Sequence, residues 1–95
     1  MPSSIQSFAE FESRLKDAMT QMDAIIKDIP DDPALVEIRR QLDLTSTWTQ
    51  GGTEPTLAQK GDLNFGLLAS KYVSDIDDKV AENLYELASY ITYWP

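Results

Sequence analysis

The chain has 95 residues and carries sixteen Asp and Glu against eight Lys and Arg, a net charge of −8. This length suits a single domain, residues 1–95, built around one hydrophobic core. With neither cysteine nor histidine, a disulfide framework, thiol catalysis, a Ser-His-Asp triad and the usual zinc sites are excluded, and the acidic balance argues against a nucleic-acid partner.

Ser7 and Glu10 have the spacing of a capping box. Beyond them Phe8, Leu15, Met22 and Ile29 recur every seven residues, with Phe11, Ala18 and Ile25 at the complementary positions. The pattern predicts a helix over 7–29, stopped ahead of Pro30. Asp32-Pro33 is the next start signal, an N-cap acid followed by a proline whose missing N–H does no harm in the first turn. The helix it opens, 33–50, has the stripe Leu35, Ile38, Leu42, Thr45 and Thr49, with Trp48 at its edge and Gly51-Gly52 as its stop.

Thr53-Glu54-Pro55 opens a third helix, 54–73. Leu57, Ala58, Gly61, Phe65, Leu68, Ala69 and Tyr72 share one broad face of it, while Leu63, Gly66, Leu67 and Ser70 lie on a second side. Ser74 or Asp75 caps the last helix, 75–93, with the narrow stripe Ile76, Val80, Leu84, Leu87, Ile91 and Trp94. No segment reads as a strand. The expected fold is all-α, a compact antiparallel four-helix bundle in which the third helix touches two neighbours.

The start MPSSIQSFAE lacks a basic residue ahead of an apolar run, and no segment approaches the roughly 18 apolar residues of a membrane span. A cytoplasmic protein with no membrane partner is expected. Asp75, Asp77 and Glu86 stand at positions one, three and twelve of a calcium loop, but Lys79 and Val80 occupy positions that need an oxygen ligand and a glycine. No metal, cofactor or catalytic set is expected, and no enzymatic activity.

Asp75, Asp78, Glu82, Glu86 and Tyr93 align at spacings of three, four, four and seven on the outward side of the last helix. They form an acidic stripe ending in an aromatic. Such a face is either a solvated surface or a docking surface for a basic partner. Trp48 is either a half-buried lid on the core or an interface anchor. Gly66, beside Leu63 and Leu67, lets another backbone come close, from a second helix or from the partner chain of a homodimer.

The run Leu63-x-Phe65-Gly66-x-Leu68-Ala69-x-Lys71, the acidic segment 74–78, the final tyrosines and Arg40-Gln41-Leu42 together resemble the small helical immunity proteins of type VI secretion, those that neutralise NAD-hydrolysing effectors in particular. The resemblance spans roughly residues 35–92. It implies a cytoplasmic protein that protects its producer by binding a cognate toxin domain over a basic active-site cleft. Two other readings stay open: an acidic mimic of nucleic acid, and a homo-oligomeric helical adaptor.

Overall fold

A computed structural model describes residues 3–95; Met1 and Pro2, the first two residues of the start MPSSIQSFAE, lie outside the described residues. Helix α1, Phe8–Asp28, begins where the Ser7 hydroxyl accepts the backbone N–H of Glu10 at 3.1 Å. The Glu10 carboxylate reaches one residue further back than a capping box requires, accepting the N–H of Gln6 at 3.0 Å. Helix α2, Pro33–Trp48, opens on Asp32, whose Oδ1 accepts the N–H of Ala34 at 2.9 Å and of Leu35 at 3.4 Å.

The apolar stripes of both helices turn inward. Phe11, Leu15, Ala18 and Met22 of α1 are buried against Leu35, Ile38 and Leu42 of α2, each large side chain contributing about 1.5–3 kcal/mol. Thr45 and Thr49 share this interior because each hydroxyl donates to a carbonyl one turn back, those of Gln41 and Thr45, at 2.8 Å. Ile29 closes the seven-residue series but lies past the end of α1 and is exposed.

Helix α2 ends at Trp48 and a single 3-10 turn follows, Gln50–Gly52. Gly51 and Gly52 take φ of 72° and 88°, the left-handed region that favours glycine.

The single helix expected over 54–73 is two: α3, Leu57–Gly61, and α4, Phe65–Tyr72. A complete capping box between Thr56 and Gln59 starts α3. The break has a definite cause. In a continuous helix the Asn64 N–H would bond the carbonyl four residues back, but the buried Gln41 of α2 takes it at 2.8 Å. Gln41 Nε2 also donates to Asn64 Oδ1 at 2.6 Å. After the break the face of the wheel no longer holds: Phe65 and Ala69 are buried, whereas Leu57 is 87% exposed and Tyr72 is exposed too.

The last helix, α5, Asp78–Thr92, starts later than the expected residue 75. Its cap is Asp77, whose Oδ1 accepts from the N–H groups of Lys79 and Val80 at 3.1 and 3.2 Å, rather than Ser74 or Asp75. The Val73 carbonyl takes the N–H groups of Ile76 and Asp77 and so closes a turn before the helix. Ile76 is left exposed, while Val80, Leu84, Leu87 and Ile91 are buried as their stripe requires.

Helix α1 packs against α2 and α5, and α4 packs against α2 and α5. The four form a closed ring around one core, and α3 adds no buried residue to it. The chain is all-helical among the described residues, and its radius of gyration of 12.4 Å equals the about 12 Å of a compact chain of this length.

An aromatic cluster ties α5 to α1. Phe11 lies 4.7 Å from Tyr90 and 5.7 Å from Trp94 between ring centroids, and Tyr90 and Trp94 are 5.0 Å apart. Phe8 adds a fourth ring, 6.1 Å from Trp94. Pairs in this range add about 0.5–1.5 kcal/mol beyond the area they bury.

Candidate functional site

The acidic residues singled out on the last helix do not form one continuous stripe, because the helix begins after the first of them. Asp75 is exposed in the turn between α4 and α5; Asp78 and Glu82 are exposed on the first two turns of α5. Tyr93 is the C-cap residue of that helix and is 55% exposed.

Glu86 has a different role from its neighbours. Its Oε2 accepts the Ser4 N–H at 2.7 Å, the Ser3 hydroxyl at 2.8 Å and the Ser4 hydroxyl at 3.1 Å. One carboxylate oxygen thus fastens the N-terminal segment to α5, and Ile5 is buried beside it. The backbone bond from Ser4, the Ser3 hydroxyl and the nearby Arg14 hold the Glu86 carboxyl below its ordinary range.

Arg14 joins α1 to α5 through Asn83: its Nε donates to Asn83 Oδ1 at 2.8 Å, and Asn83 Nδ2 donates to the Arg14 carbonyl at 3.1 Å. Arg39 bridges α1 and α2, 2.8 Å from Asp23 and 2.7 Å from Asp43. Trp48, the last residue of α2, is half-buried.

Within α2, Glu37 accepts from Arg40 at 2.6 Å and from Gln41 Nε2 at 2.8 Å. Those bonds, that of Arg40 foremost, lower the Glu37 carboxyl from 4.5 to about 2. Gln41 is therefore saturated, with two donor bonds and one acceptor bond. Sequence reasoning placed Gln41 beside Arg40 and Leu42 only as a family likeness. Its position three residues past Ile38, on the buried stripe, was the physical signal that a polar side chain there needs partners in the core.

Gly66 of α4 faces α5, and Leu63, just ahead of α4, lies on the same side. A Cβ built on Gly66 would lie 2.9 Å from the Ala88 Cβ, so the close approach inferred for this glycine is made within the chain. Leu63 is half-buried against the core and Leu67 is 58% exposed. Where the two helices diverge, an open cavity of about 180 Å³ is bounded by Leu63, Phe65, Leu67, Ala88, Ile91 and Thr92.

Among the described residues no cluster of three or more acidic side chains is placed to hold a metal ion, and no helix is long and apolar enough to cross a membrane. The surface offers exposed acids at Asp75, Asp78 and Glu82 together with the apolar hollow between α4 and α5.

A family model, Tsi6, matches residues 10–93. The chain belongs to the Tsi6 family of type VI secretion immunity proteins. Such membership implies an effector as partner. Neither a curated protein nor a solved structure matches the chain.

Proposed function

We propose that this protein binds and inhibits the toxin domain of a cognate secreted effector, in the cytoplasm of the producing cell, by covering the toxin's active site, and that it has no catalytic activity of its own. The observation that carries the reading is the Tsi6 match over residues 10–93. The toxin chemistry that fits best is hydrolysis of NAD, because a cleft built to attract an anionic dinucleotide also attracts a blocker of charge −8.

The bundle is antiparallel in this reading. What supports it is the α1–α5 pair, where Phe8 meets Trp94, Phe11 meets Tyr90 and Arg14 meets Asn83. A standard footprint of about 800 Å² per partner is roughly one seventh of the 5544 Å² surface. The exposed acids Asp75, Asp78 and Glu82 steer the approach, and Tyr93 and Trp48 contribute apolar contact.

The test is association with the toxin domain of the effector encoded in the adjoining gene, together with rescue of growth from it. Asp78→Lys/Glu82→Lys is the informative variant, since Glu86 cannot be reversed without disturbing the N-terminal segment. Association at low salt slows about tenfold or more, and the difference from wild type shrinks as salt rises. An unchanged rate and salt slope would remove these acids from the interface.

A further inference from the structure

Residues 63–70 and residues 87–95 carry no charged side chain, although 25% of all residues are charged. The fold lays the first, around α4, against the second, at the end of α5, and the hollow bounded by Leu63, Leu67, Ala88, Ile91 and Thr92 opens between them. Among the described residues that line it Lys60 alone is charged, and its Nζ is paired with Glu54 at 2.8 Å. Gly66 and Ala88 shape the hollow: with side chains this small the helices touch beside it, while the longer Leu67 remains 58% exposed.

Volume selects the kind of guest. A cavity of about 180 Å³ is well below the roughly 300 Å³ at which small-molecule sites begin. It is close to the about 150 Å³ that accepts a benzene ring. Charge selects its surroundings. The start of α4 and the end of α5 meet here with opposite partial charges of about half a unit each, which offset one another and leave the net charge of −8 to decide the sign. A second copy of this chain brings the same charge and is repelled; a cationic protein is attracted.

We propose that the α4–α5 hollow is the anchor pocket for the effector, receiving one phenyl-sized apolar side chain flanked by cationic residues on the toxin domain. This rests on the inhibitory function given above. It adds a central apolar contact, of the kind that carries most of the energy of an interface, to the steering acids on the first half of α5.

The experiment uses the full chain and the purified toxin domain encoded in the adjoining gene. Thr92→Trp fills the hollow from an exposed position, and Leu67→Glu and Leu67→Lys place a charge at its lip. All three keep the wild-type helical spectrum. Thr92→Trp weakens binding at least tenfold, and Leu67→Lys binds several times more weakly than Leu67→Glu at low salt. Wild-type binding with all three variants within twofold of it overturns the pocket and leaves the inhibitory function standing; no wild-type binding overturns that function and the pocket with it. A wild-type dimer that Leu67→Lys disperses, with toxin affinity unchanged, assigns the hollow to a second copy and overturns the proposal.

Discussion

Gly66 and Ala88 meet where no larger side chain fits. A methyl group on residue 66 would stand 2.9 Å from the Ala88 Cβ, and that atom is fixed to the backbone of α5 and has no torsion with which to retreat. Gly66→Ala gains about 1 kcal/mol of helix propensity but loses about 1–3 kcal/mol to overpacking. We expect a net loss near 1 kcal/mol in urea unfolding, with Gly66→Ala/Ala88→Gly more stable than the two single changes add up to. A stabilised Gly66→Ala would mean the helices part at no cost. Glu37 supplies a second test at this scale. Its carboxyl is lowered from 4.5 to about 2 by Arg40 and Gln41, so the stability it contributes is complete above the ordinary carboxylate value and is lost as pH falls toward the folded one. Glu37→Gln is therefore less stable than wild type at pH 7, and the gap in Tm closes by about pH 2. A gap that persists there would assign the effect to packing rather than charge.

Helix punctuation explains more of the architecture than helix propensity does. Gln41 withdraws the Asn64 N–H from the helical ladder, which makes two short elements of one long one and lets α4 lie along both α2 and α5. Asp77 caps α5 and leaves Asp75 outside it. The N-terminal segment is an element held by one residue, because three donors converge on Glu86 Oε2. Glu86→Ala removes their acceptor. We expect faster amide exchange at Ser4, unchanged exchange within α5, and a stability cost of about 1–2 kcal/mol. Acid acts in the same direction in the wild type. The folded Glu86 value is depressed, so the attachment holds above the ordinary carboxylate range and loosens as pH falls through the folded value. Exchange at Ser4 that ignores both Glu86→Ala and acid would show that Ile5, buried in the core cluster, holds the segment without the carboxylate.

For the molecule as a whole, the disposition of charge matters more than its sum. Four of the eight bases, Arg14, Arg39, Arg40 and Lys60, sit in ion pairs with acids of this chain. Pairs as exposed as these add little to stability, typically under about 1 kcal/mol, and because each cancels a base against an acid, the field a partner meets is set by the acids left unpaired. Helix α5 then divides by surface chemistry along its length. Asp78 and Glu82 stand on its first two turns and face solvent, whereas its last turns, with Ala88, Ile91 and Thr92, form one wall of the apolar hollow. In the function proposed above, long-range attraction would bring a basic toxin domain to the first part, and short-range burial would hold it at the second. If that function holds, charge reversal at Asp78 and Glu82 acts on the association rate, and filling the hollow acts on the dissociation rate.

Helical periodicity and end signals made the helical class, the inward stripes of α1 and α2, and the starts at Ser7 and Asp32 legible in the sequence, because each depends on residues within one or two turns of each other. The run around Gly66 and the Arg40-Gln41-Leu42 segment also carried the immunity-family likeness. The break between α3 and α4, the late start of α5, the burial of Tyr90 and the engagement of Glu86 were not legible. Three of these turn on a partner far away in the chain, Gln41 for Asn64, Phe11 for Tyr90, and Ser3 and Ser4 for Glu86, while the start of α5 turns on which of several neighbouring acids and hydroxyls becomes the cap. A pattern along the sequence reports which side of a helix is apolar. Only the packed structure decides which acid is spent at home, which stays in solvent, and where two uncharged stretches meet to leave a hollow, because those outcomes depend on distances between elements that local spacing does not encode.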